Sequence, residues 1–219
     1  MNDNEEYYNR RKIDNEREKF VTTFLEQDVL YKFPTYKRIN NAELQKQGID
    51  FEFFGKKKFF HLCDLKTIMP RQNGKKLETA CLECASRYLS KKNEWIYTDG
   101  WFLNENEKTN TLVMFWIDKC TNGLKSIEDI KEYEYCFILN ETIWKYLKLL
   151  GWDKSTLKKK IEEVKNNPEN YFRTQWINDI GFNTPKRLYN KERPVNILLK
   201  REFYIKNSIY SKKGVIDNN

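Results

Sequence analysis

The feature that most constrains the fold is a pair of apolar runs separated by a short turn. Residues 49–54 read IDFEFF, residues 58–67 read KFFHLCDLKT, and Gly55 begins the turn between them. Two strand-like runs that flank a glycine-containing turn predict a β-hairpin. The second run is almost continuously apolar, which is typical of a central strand that is covered on both faces. We therefore expect a sheet built around this strand.

The length and the aromatic content favour one folded domain. The chain has 219 residues, which suffices for one sizeable core, and 15% of its residues are aromatic. We expect a single α/β domain over residues 13–219, with a central mixed β-sheet flanked by helices. Its core motifs would lie in 15–140 and its C-terminal helices and strands in 141–210. The polar residues 1–12 are expected to be flexible.

Local signals predict the other elements. Asn15 and Glu18 have the spacing of a capping box, and apolar residues then recur at helical intervals, which predicts a helix over about 16–30. Asn140 and Asp153 are N-cap residues that predict two further helices. Strands are predicted over 77–85, 101–103, 111–118 and 133–139, the segment 77–89 fits either a strand or a helix, and a strand or helix is expected over 195–199 and 203–205.

The charge balance favours a polyanionic partner. Forty Lys and Arg residues stand against 32 Asp and Glu residues, which gives a net charge of +8 and a pI near 9.1. The alternative is a lysine-rich surface that has no particular partner. Short basic clusters occur at 56–58, 75–76, 158–160 and 212–213.

Other features indicate a cytoplasmic protein. No apolar run has the length of a membrane span, and the N-terminus lacks the apolar centre of a signal peptide, so we expect no membrane partner. The five cysteines lie in apolar runs, which favours reduced thiols over disulfides or a metal cluster. His61, the single histidine, lies inside the apolar strand, which favours a buried imidazole over a general base.

The hairpin brings three charged residues to one place. Asp50 begins the first strand, whereas Asp64 and Lys66 end the second, so folding back of the hairpin would join them at one sheet edge. Lys66 shares a strand face with Asp64, and Leu65 points away, leaving its backbone carbonyl as an additional oxygen ligand. Two carboxylates and an ammonium suit metal-assisted phosphodiester hydrolysis. Taken alone, the pattern is more often an exposed ion pair beside a turn cap.

The surrounding motifs resemble those of the PD-(D/E)XK nuclease superfamily, whose fold is restriction-endonuclease-like. A helix with an acid, either Asp14 or Glu18, precedes Gly-Ile-Asp at 48–50 and Asp-Leu-Lys at 64–66. The chain is also similar to a compact phage and mobile-element branch of that superfamily. The residues that carry this second likeness are Arg38, Gln45, Glu83 and the Gly100-Trp101 pair. One departure is Ile49, where the superfamily frequently has proline.

The resemblance implies an activity and a site. It implies a nuclease of phage or mobile-element origin, with DNA favoured over RNA as the expected substrate and with Mg²⁺ that Mn²⁺ can replace. Asp50 and Asp64 would bind the metal and Lys66 would assist the attacking water. Glu18 and Glu83 would be outer members, although Glu83 fits an exposed strand position equally well. Nucleic-acid contacts are expected from Arg38, Gln45, Lys56, Lys57, Lys75 and Lys76.

Two other functions remain open. The first is an inactive nuclease-fold protein that binds nucleic acid. The second is a protein-interaction module of a mobile element, such as an inhibitor of host defence. Whether the chain acts as a monomer or a homodimer is equally open at this point.

Overall fold

The computed structural model describes residues 3–55, 59–71, 73–89, 95–121, 123–185 and 192–216. The helices are α1 (Asp3–Asp28), α2 (Ala42–Lys46), α3 (Asn140–Leu149), α4 (Lys154–Asn166) and α5 (Arg201–Lys206). The strands are β1 (Lys37–Arg38), β2 (Phe51–Phe54), β3 (Phe60–Ile68), β4 (Thr79–Leu89), β5 (Trp95–Asp99), β6 (Thr111–Cys120), β7 (Ile130–Leu139), β8 (Gln175–Ile177), β9 (Ile180–Asn183), β10 (Glu192–Lys200) and β11 (Tyr210–Val215).

The chain divides into two compact units that interleave along the sequence. The six-strand unit comprises residues 8–78, 108–142 and 201–219, and the five-strand unit comprises 1–7, 79–107 and 143–200. Each contains one of the two sheets. The predicted α/β class is confirmed, whereas the single domain over residues 13–219 stays a prediction.

The sheet of the six-strand unit is mixed, as predicted. Its strand order is β1-β2-β3-β6-β7-β11, and β3 pairs with β2 antiparallel and with β6 parallel. The other neighbouring pairs are antiparallel. β3 is therefore an interior strand, as its apolar run indicates, and the predicted hairpin is confirmed.

Helix α1 covers one face of this sheet. Val21 and Leu25 of α1 are buried in one core cluster with Leu65 of β3 and Phe115 of β6. Residues alternate between the faces of a strand, so Asp64 and Lys66 point away from the face that Leu65 shares with this core. The helix begins at Asp3 rather than near residue 16, because the Glu- and Arg-rich segment before Asn15 contains good helix formers that continue the helix.

The five-strand unit contains an antiparallel sheet in the order β5-β4-β10-β9-β8. The segment 77–89 is thus resolved as a strand. The predicted strand over 101–103 is wrong, because the chain turns there after β5. Gly100 packs against the β4 backbone, where a Cβ would lie 2.4 Å from the Glu83 carbonyl oxygen. Of the described helices, none is both long and apolar enough to cross a bilayer.

Candidate active site

The β2–β3 hairpin brings Asp50 and Asp64 together. Phe51 pairs with Cys63, so Asp50 lies beside the residues that follow Cys63. The Asp50 amide donates to the Cys63 carbonyl at 2.8 Å, and the Leu65 amide donates to Asp50 Oδ2 at 2.7 Å. A separation of 14 positions in sequence thus becomes a direct neighbourhood, which confirms the predicted geometry of the hairpin.

Lys66 forms an ion pair with Asp64 inside the protein. Its Nζ lies 2.7 Å from Asp64 Oδ2, and the two side chains are 29% and 5% exposed. An ion pair that is buried to this extent differs from the exposed strand-end pair, which was the alternative interpretation of the Asp-Leu-Lys motif.

Glu18 is the helix acid that joins the cluster. It is half-buried on α1, and Asp50 lies within hydrogen-bonding reach of both Glu18 and Asp64. Asp14, the alternative, has a side chain that is 69% exposed and pairs with Arg17 at 3.4 Å. The two acids are four residues apart on one helix, and only Glu18 lies at the height of the carboxylates.

The crowding of carboxyl groups raises their pKa values. Burial, followed by the charges of Asp64 and Glu18, raises the pKa of Asp50 to about 8. Burial also raises the pKa of Asp64, although Lys66 offsets part of the effect. Burial and the charge of Asp64 raise the pKa of Glu18, and the charges of Lys66 and Arg38 offset part of this rise. The surroundings of these carboxyl groups therefore hold too little positive charge to balance three carboxylates.

The ammonium group of Lys66 responds in the opposite sense. Burial by itself would lower its pKa, but the charges of Asp64, Asp50 and Glu18 outweigh burial and raise the pKa above the ordinary value. Lys66 is therefore positively charged at neutral pH. It can donate hydrogen bonds and offset negative charge, but it cannot remove a proton from water in this state.

The donor set fits a magnesium ion that keeps much of its water. Among the described residues, no three Asp, Glu, His or Cys side chains have their atoms arranged to hold one ion. Asp50 and Asp64 nonetheless form a close pair of hard oxygen donors. Mg²⁺ is commonly bound by one or two carboxylates and several waters. The Leu65 carbonyl stays a predicted ligand.

A cleft opens beside the carboxylates. Its volume is about 810 Å³, and its lining includes Glu18, Asp50, Arg38 and Gln45. Arg38 is half-buried and lies 4.0 Å from Glu26, while its charge also acts on Glu18. The Gln45 side chain donates to the Ile39 carbonyl at 2.9 Å, so it holds the segment that carries Arg38 in place.

Glu83, Lys75 and Lys76 are not among the described residues that line this cleft. Glu83 is half-buried on β4 and belongs to the five-strand unit, whereas the carboxylate cluster belongs to the six-strand unit. Lys75 is exposed, and Lys76 is held in ion pairs with Asp118 at 3.4 Å and Glu132 at 3.0 Å. Lys56 and Lys57 lie outside the described residues.

Sequence reasoning missed two cleft residues. Lys19 and Asn40 line the same cleft as Asp50 and Glu18. The signal for Lys19 was its position next to Glu18, which places it at the border of the apolar face of α1. Asn40 precedes α2 in a loop, and no periodicity marks such a position.

Comparison of the chain with protein-family models, with curated proteins and with solved structures gives no match.

Proposed function

We propose that this protein is a metal-dependent nuclease that hydrolyses phosphodiester bonds of nucleic acid, with DNA as the first substrate to test. One observation carries the proposal: three half-buried or buried carboxyl groups, Glu18, Asp50 and Asp64, meet a single charged lysine, Lys66, beside an open cleft. The mixed sheet with α1 on one face and the likeness to PD-(D/E)XK motifs support a restriction-endonuclease-like fold.

Each residue has a role that follows from its surroundings. Asp50 and Asp64 would bind a divalent cation, which supplies stabilisation of the negative charge that develops on the phosphate. Lys66 remains protonated, so it would orient the attacking water and offset charge by hydrogen bonding. Glu18 accepts hydrogen bonds at the same cluster. Arg38 would bind a neighbouring phosphate of the backbone, in a segment that Gln45 holds in place.

Cleavage assays test this function directly. Supercoiled plasmid, single-stranded DNA and RNA are incubated with purified protein in MgCl₂, MnCl₂ or EDTA. We expect cleavage with either metal and none in EDTA. Asp64→Asn and Lys66→Ala should abolish it, whereas Asp14→Asn, which changes an exposed acid of α1, should leave it intact. Circular dichroism of each variant checks folding.

The other outcomes separate the alternatives. Retention of labelled DNA in gel-shift assays, without cleavage under any condition, would support a nucleic-acid-binding module. Absence of both cleavage and binding would favour a protein-interaction function. Cleavage that persists unchanged in Asp64→Asn would indicate a contaminating nuclease.

A further inference from the structure

The six-strand unit contains a second cavity, which lies at the turn end of the β2–β3 hairpin. Its volume is about 520 Å³, within the range of small-molecule sites. His61, in its lining, precedes Asp64 by three residues, which is about 10 Å along a strand. Val29, Phe53 and Phe137 of the lining are buried, whereas Phe59, Ile209 and Tyr210 are between 40% and 51% exposed. Large apolar side chains thus form both the inner wall and the exposed part of this cavity.

A chain of hydrogen bonds fixes the tautomer of His61. Asn110 Nδ2 donates to the Phe60 carbonyl at 2.8 Å, and Asn110 Oδ1 accepts from the Leu62 amide at 3.0 Å. The Thr111 hydroxyl therefore donates its one proton to Asn110 Oδ1, at 2.8 Å. Since Thr111 Oγ1 also lies 2.9 Å from His61 Nδ1, it must accept from that nitrogen. Nδ1 consequently carries the proton of the neutral ring.

The other ring nitrogen, Nε2, is then an acceptor beside the cavity. Nε2 lies next to Gly55, which also lines the cavity, and a Cβ at Gly55 would be only 2.5 Å from it. Among the described residues, only Nδ1 of this imidazole takes part in a hydrogen bond. Burial lowers the pKa of His61, which keeps the ring neutral and Nε2 unprotonated at pH 7. Glycine at position 55 keeps this acceptor accessible.

Aromatic rings surround the acceptor. His61 stacks on Phe53 with centroids 4.7 Å apart and planes at 19°, and Phe59 meets its edge at 4.8 Å and 62°. Among the described residues of the lining, which do not include 56–58, none is Asp, Glu, Lys or Arg. A charged molecule bound against these described residues would have no charged partner among them, at a large desolvation cost.

The geometry points to a binding site for a small, neutral, planar aromatic molecule that carries one ring N–H. The ring would pack among Phe53, Phe59 and Phe137, and its N–H would donate to His61 Nε2. The site shares no lining residue with the carboxylate cleft. This inference therefore does not depend on the proposed nuclease activity.

Nitrogen NMR of the single histidine tests the site without an assignment step. Protein labelled with ¹⁵N-histidine is titrated with indole and, separately, with 1-methylindole, which has no N–H. Free protein should show a protonated Nδ1 and an unprotonated Nε2. Indole should shift the Nε2 resonance saturably, and 1-methylindole should bind about tenfold more weakly, the equivalent of one hydrogen bond.

Variants distinguish this cavity from other apolar surface. Phe59→Ala should weaken the binding of both ligands to a similar extent. Phe54 is an equally exposed aromatic residue of the same hairpin outside the lining, so Phe54→Ala should leave the binding of both ligands unchanged. His61→Phe, monitored by calorimetry, should bind both ligands equally. The inference is overturned if indole does not bind up to its solubility limit, if wild type binds both ligands equally, or if Phe54→Ala rather than Phe59→Ala loses binding.

Discussion

Two clusters of charge in the six-strand unit differ in their balance of charge. In the site cluster, Glu18, Asp50 and Asp64 share one ammonium, that of Lys66, and all three carboxyl groups have raised pKa values. Burial without enough positive charge is the cause. The folded protein holds these carboxyl groups at a cost in free energy.

The second cluster, which we call the arginine network, has three acids and three bases: Asp118, Glu132, Glu134, Lys76, Lys119 and Arg201. Arg201 donates two hydrogen bonds to Asp118, at 2.7 and 3.0 Å, and one from Nε to Glu134 at 2.7 Å. Burial by itself would raise the pKa of Asp118, but the hydrogen bonds and charges of Arg201 and Lys76 lower it below its ordinary value. Nearly every charge here has a partner within the protein.

The difference in charge balance distinguishes charged residues that hold the fold together from charged residues available for function. A buried network whose charges are matched holds its own elements together, and removal of one partner leaves another charge buried alone. A cluster with surplus carboxylates lacks this matching, and the proposed metal-dependent activity is the function that would use its surplus negative charge.

The largest effect is expected from the arginine network. Arg201 and Asp118 have side chains that are 7% and 2% exposed. Arg201→Met should lower the free energy of unfolding by about 3–5 kcal/mol, because Asp118 and Glu134 lose their partner. Urea denaturation measures this change. Lys200→Ala is the control: its ion pair with Asp179 is 55% and 52% exposed, so its loss should cost about 0–1 kcal/mol.

Two matched Asp→Asn substitutions, one in each cluster, should have opposite effects on cleavage and on stability. Asp64→Asn should lower metal-dependent cleavage by about 100-fold or more while the midpoint of urea unfolding changes little. Asp118→Asn should lower stability and leave the rate per folded molecule near that of wild type. Loss of cleavage in folded Asp118→Asn would show that both clusters act in catalysis, and the distinction would fail.

The sequence predicted the site cluster because local rules were sufficient. The alternation of residues in a strand and the turn at Gly55 place Asp50 beside Asp64 without any knowledge of the rest of the chain. The helical pattern offers Asp14 and Glu18 on one face of α1, and the structure shows that Glu18 is the one that joins the cluster. The convergence of these residues needs only one hairpin and one helix that packs against it.

The arginine network could not be predicted in the same way. Arg201 and Asp118 are 83 positions apart, and their meeting depends on the docking of α5 against the sheet. Composition shows the charge of Lys76 but not its ion-pair partners, Asp118 and Glu132. A strand position alone likewise does not reveal to which of two sheets β4 belongs, and the role of Glu83 at the metal stays a prediction.

Removal of a surplus carboxylate should stabilise the protein at alkaline pH. The pKa of Asp50 is raised from 3.8 to about 8, with Glu18, Asp64 and Lys66 as its charged neighbours. Between these values the folded protein keeps a proton that the unfolded chain has released, so the free energy of unfolding falls as pH rises. Asp50→Asn has no carboxyl group at this position, so its free energy of unfolding lacks this decrease with pH. In EDTA the free energy of unfolding of Asp50→Asn should exceed that of wild type by at least about 1–2 kcal/mol at pH 8 and match it near pH 4.

In the presence of a bound cation, the same Asp50 carboxylate should contribute to stability, and thermal unfolding measures this contribution. A ligand at ten times its Kd stabilises the folded state by about 1.4 kcal/mol, so MgCl₂ should raise the Tm of wild type by a few degrees. NaCl at equal ionic strength should not, because exposed pairs respond to screening whereas a bound ion responds to its own concentration. Asp118→Asn should keep the full magnesium shift. Asp50→Asn should lose the shift. An undiminished shift in that variant would mean that the ion binds elsewhere, and the surplus carboxylates of the site cluster would then not be explained by metal binding.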